Sequence, residues 1–138
     1  MSHNDDQLLA AFADTTLPPA ALGHREHLRL GFLHLVRHGF DDGAPRFVAA
    51  LRRYVTAHNV VGKYHATLTW AYLALIGELL ASDGEVGTFD AFAARHADLF
   101  DQRTGAIARA YGPALLTSEL ARRAFVLPTR LHSPIDGQ

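Results

Sequence analysis

Apolar residues recur at helical spacing along almost the whole chain, and turn residues cut the recurrence into segments. Leu8, Leu9 and Phe12 give a first helix over Asp5 to Ala13, with acids at the end where the helix dipole favours them. Pro18-Pro19 stops it. A second helix is expected from Pro19 or Gly23 to His38, with Gly39 as its C-cap. Asp41-Asp42-Gly43 reads as a turn, and Pro45 fits the first turn of a third helix reaching about His58. That helix carries Phe47, Val48, Leu51, Tyr54, Val55 and His58 on one face.

A fourth helix, the most apolar, is expected from Lys63 to about Ala81. Thr88 N-caps a short helix through His96. The pattern then weakens, with helices expected near Thr104 to Tyr111 and Ser118 to Phe125. No convincing strand, repeat or linker interrupts it. The expected fold is all-α: one helical bundle domain over residues 1–138, of about five to seven helices, with residues 1–4 and 129–138 as loose tails.

Composition narrows the function. A formal net charge of −1 with scattered Lys and Arg gives no basic stripe, so nucleic acid is not an expected partner. No run approaches the ~18 apolar residues of a membrane span, and the acidic start is unlike a secretory signal. The expectation is a cytoplasmic protein, a monomer or weak homodimer, that meets a small-molecule substrate. With no cysteine there is no disulfide framework, thiolate site or cysteine nucleophile. Nine histidines are the anomaly.

Their positions give the anomaly meaning. His24 and His27 are one helical turn apart, close enough to bind one ion together. His65 falls mid-face on the fourth helix, with Thr69 and Tyr72 stacked above it. An up-down-up path brings His24, His27, His58 and His65 to one end of the bundle. The spacing therefore predicts a mononuclear metal site of His24, His27 and His65 at two helix starts, with His58 as a possible fourth ligand. Against this stands the ordinary fate of a core imidazole, which is simply to be hydrogen-bonded. That reading is the stronger one for His58, and His34, His38 and His96 read as surface or dipole partners.

At these residues the sequence resembles a family of small bacterial all-helical proteins with the patterns H-x-x-H-L-R and Y-H-E-T-x-T. The matching stretches are His24-Arg25-Glu26-His27-Leu28-Arg29 and Tyr64-His65-Ala66-Thr67-Leu68-Thr69. The resemblance implies that the three histidines act as a unit, and it supplies no reaction. Ala66 stands where the pattern has Glu, so any role of that carboxylate is missing here.

Three imidazoles without thiolate or carboxylate suit a transition metal such as Cu, Fe or Zn, with positions left open for a substrate. Tyr64, Thr69 and Tyr72 are the expected catalytic side chains beside it, with Trp70 or Tyr111 as a wall. Glu26 points away from the pair, and no H-E-x-x-H, G-x-S-x-G or glycine-rich phosphate loop is present. The expected function is a small-molecule metalloenzyme, an oxidoreductase or lyase rather than a hydrolase. The alternatives are a non-catalytic helical module binding metal or a small ligand, and an interaction protein whose histidines only tune packing.

Overall fold

The computed structural model describes residues 4–128, and they form an all-α fold with no strand among them. Eight α-helices follow one another: α1 (Asp5–Ala13), α2 (His24–His38), α3 (Phe40–Ala57), α4 (Ala66–Asp83), α5 (Phe89–Arg95), α6 (Ala106–Tyr111), α7 (Pro113–Leu116) and α8 (Glu119–Arg123). Short 3-10 turns lie at Pro19–Ala21, Val61–Lys63 and Ala97–Phe100. The extra helix over the expected number arises after Asp101, where Gly112 and Ser118 each restart the chain and leave three short pieces.

The expected turn at Asp41-Asp42-Gly43 does not exist; those residues are the first turn of α3. Gly39 alone reverses the chain, at φ +77, a left-handed value that favours glycine. Pro45 consequently sits inside α3 rather than at its start. Pro45 and Asp41 are both exposed, so the carbonyl that the proline leaves without a helical partner faces water. Gly43 is needed for packing: a Cβ there would stand 2.3 Å from the carbonyl oxygen of His34 on α2.

Two apolar clusters fill the interior. The larger joins α1, α2, α3, α4 and α5 through residues such as Phe12, Leu30, Tyr54 and Ile76. The smaller gathers Ala71, Ile107, Tyr111, Ala121 and Val126 against the other side of α4. Tyr72 and Leu75 touch both, so α4 is the shared wall. Ion pairs clamp the polar face of α2 to its neighbours, Arg29 to Asp5 and Arg37 to Asp6 at 2.8 Å each, and Arg25 to Asp90 at 2.7 Å. No helix among the described residues is long and apolar enough to cross a membrane.

Candidate functional site

Packing α2, α3 and α4 together leaves a cavity of about 370 Å³ between them. Its apolar wall comes from Leu28, Phe47, Leu51, Leu73 and Ile76. Six polar side chains singled out by the sequence line it: His24, His27, Tyr64, His65, Thr69 and Tyr72. Gly23, Lys63 and Gln102 also line it and are exposed, which places the mouth beside them. Nothing in the helical periodicity singled out Lys63 or Gln102, since both lie in connecting segments. His58, Trp70 and Tyr111 are not part of the wall.

Local structure decides what each imidazole can offer. α4 begins three residues later than expected, so His65 is its N-cap instead of an interior residue. Its Nδ1 accepts the Leu68 N–H at 3.1 Å, and its Nε2–H donates to the Leu116 carbonyl at 2.7 Å. Both nitrogens are thus engaged, one tautomer is fixed, and the ring ties the start of α4 to the end of α7. Thr69 returns its hydroxyl hydrogen to the His65 carbonyl at 2.8 Å.

His24 Nε2–H donates to the Leu99 carbonyl at 3.0 Å, joining the start of α2 to the Ala97–Phe100 turn and leaving Nδ1 uncommitted. Its ring meets Tyr72 edge-on at 5.2 Å. His58 caps the end of α3, where Nε2–H donates to the Thr15 carbonyl at 2.8 Å and the ring packs 4.4 Å from Tyr54. It is held apart from the other three because its partner lies in the loop after α1.

His27 is different. Its ring makes no hydrogen bond among the described residues. Burial first, and the neighbouring His24 second, lower its pKa to about 4, against a smaller opposing pull from Glu26. The ring is therefore neutral near pH 7. The Tyr72 hydroxyl is likewise without a hydrogen-bond partner among the described residues. Its pKa is raised by burial and then by the negative charges of Asp98 and Asp101, so it remains a protonated donor.

The cavity thus presents one uncommitted neutral imidazole, a single nitrogen of His24, and the hydroxyls of Tyr72 and Tyr64, neither hydrogen-bonded among the described residues. Among the described residues no group of three His, Asp or Glu side chains is placed to hold a metal ion. Comparison with family models, with curated proteins and with solved structures finds no match to this chain, so the site is read from its own geometry.

Proposed function

We propose that the cavity between α2, α3 and α4 is a binding site for a small molecule, with His27 and Tyr72 as the groups that meet its polar end. One observation carries this reading: a cavity of about 370 Å³, mostly apolar, whose wall holds a neutral imidazole and a phenol without hydrogen-bond partners among the described residues. Small-molecule sites have this composition and occupy about 300–1,000 Å³. Partly buried polar groups left open to a cavity stand ready to bond a ligand. A histidine neutral down to about pH 4 is a hydrogen-bond partner rather than a proton store tuned to neutral pH, so binding and orientation are the roles assigned to it.

A fragment screen by protein NMR tests this. Binders should perturb resonances of His27, Leu28, Tyr72 and Ile76 together. A screen whose hits all lie elsewhere on the surface would overturn the reading.

A metal-dependent enzyme, an oxidoreductase or lyase using Cu, Fe or Zn, is the second reading. It is favoured by His24 Nδ1 and His27, two uncommitted imidazole donors one helical turn apart on the same wall. His65 joins such a set only by releasing Leu68 or Leu116. A bound ion would supply Lewis-acid or redox chemistry, while Tyr72 and the apolar wall orient the substrate. Elemental analysis of protein purified without an affinity tag tests it. Stoichiometric metal that is lost in His27→Ala supports it, and metal-free protein with chelator-independent melting sinks it.

A further inference from the structure

The lysine and arginine side chains of the described residues divide into those with and those without an acidic partner. Arg25, Arg29, Arg37, Arg46, Arg95 and Arg109 each pair with an aspartate. Arg52, Lys63 and Arg122 have no acidic partner among the described residues, and all three converge on the rim made by the Val61–Lys63 turn and Tyr64. Lys63 lines the cavity itself. The Arg52 guanidinium stacks 5.0 Å from the centre of the Tyr64 ring, another residue of the wall. Arg122 donates to the carbonyl of Gly62, within that turn. Arg53, Arg103 and Arg123 also lack acidic partners among the described residues; like Arg52 and Arg122 they do not line the cavity, and no contact ties their side chains to the Val61–Lys63 turn or Tyr64.

Among the described residues no Asp or Glu lines the cavity, and Lys63 is the one formally charged side chain in its wall. Of the acids that act on the wall from outside it, Asp98 and Asp101 bear on Tyr72, and Glu26 bears on His27 and accepts the Gly23 N–H at 3.0 Å, one helix away from Lys63. Positive charge is therefore concentrated at one rim of a mostly apolar space, and the positive end of the α4 dipole begins just beyond it at Ala66. An ammonium beside an apolar wall, with no carboxylate of its own, complements a molecule that has an apolar body and one anionic head.

Resting on the small-molecule reading above, we infer that the occupant is a small amphipathic carboxylate, its head at Lys63 and its body along Leu28, Leu51 and Ile76. Arg52 and Arg122 add a long-range field at the rim. His27 and Tyr72 bond the carboxylate's second oxygen or another polar group on the body.

The test uses the full chain and two pairs of probes, octanoate and phenylacetate, each against its primary amide, which has the same shape without the charge. Dissociation constants are measured by NMR titration, with the binding site mapped on the same spectra. Each carboxylate should bind at least about tenfold more tightly than its amide, the margin of a charge-assisted over a neutral hydrogen bond at a partly exposed site. The margin should shrink in high salt. Lys63→Gln, an exposed position outside the core, should bring acid and amide to within about twofold, and Lys63→Arg should restore most of the difference. Equal binding of acid and amide within the cavity would overturn the carboxylate inference while leaving the small-molecule site intact. A preference that survives in Lys63→Gln would also overturn it. Failure of all four probes to bind the cavity would overturn the inference, and the fragment screen would then decide the cavity separately.

Discussion

Thr67 and Val126 are joined across 59 residues of sequence: the Val126 N–H donates to Thr67 Oγ1 at 3.1 Å, and the same hydroxyl donates to the Ala124 carbonyl at 2.8 Å. Thr67 is fully buried. One side chain thus stands in for a strand partner and holds the extended segment after α8 against α4. Thr67→Val keeps the shape and strands both backbone groups. The buried Val126 N–H left unsatisfied costs about 1–3 kcal/mol and the half-buried Ala124 carbonyl, which water can reach, about 1 kcal/mol, so a loss of roughly 2–4 kcal/mol is expected. Amide hydrogen exchange of residues 106–126 should accelerate more than that of α2 and α3, and uniform change would contradict the local role.

His65→Ala removes an N-cap and a bond to a carbonyl together. A stability loss of about 2–3 kcal/mol is expected, equal with and without chelator. His65→Asn should recover the cap but not the reach to Leu116, and so fall between. A loss in wild type on adding chelator, absent from His65→Ala, would instead make His65 a ligand.

The lowered pKa of His27 makes stability depend on pH in a definite direction. The ordinary value is 6.5 and the folded value about 4, so between them the unfolded chain binds the extra proton. The contribution is complete above pH 6.5 and is lost as pH falls through that window to about 4. Its ceiling is about 3 kcal/mol, reduced by whatever water reaches the partly exposed ring. His34, lowered chiefly by burial, acts in the same sense. The lowered carboxylates Asp14, Asp83 and Asp101 titrate below the window, from an ordinary 3.8. Denaturation of wild type and His27→Gln at several pH values isolates the effect. Their stability difference should change between pH 6.5 and 4, and a constant difference would remove His27 as its source.

Gly43→Ala should be among the most damaging single-methyl additions to the chain. The added carbon would meet the His34 backbone at 2.3 Å, and a backbone has no rotamer to move. Either α2 and α3 separate or the helix bends, at a cost of about 1–3 kcal/mol or more. A melting temperature within a degree or two of wild type would show that this crossing is softer than its geometry.

The sequence made the helices and the gathering of six side chains legible because both follow from periodicity. His65 fell on the buried face by its spacing, and it is 9% exposed. Its partners were not legible, because Leu116 and Leu68 offer backbone groups that carry no residue signature. The late start of α4 made the same histidine a cap, and a cap spends the nitrogen that a ligand would need. His58 went to Thr15 for a similar reason: its neighbour is set by the loop after α1, which no helical pattern describes. Lys63 escaped notice because a lone lysine in a turn becomes informative only when the acids around it are known. Asp41 and Asp42 read as turn residues when judged by type, yet they suit a helix start equally well, and the reversal at Gly39 decided between the two.

The one-residue joint at Gly39 also bears on the order of assembly. α2 and α3 can come together by closing almost no loop, so their pairing incurs little of the chain entropy that slows distant contacts. α4 must return across the longer connection from His58 to His65, and the segment fixed by Thr67 arrives from further still. Two walls of the cavity can thus exist as a helical hairpin before the third is in place, and the cavity closes only when α4 docks on that hairpin.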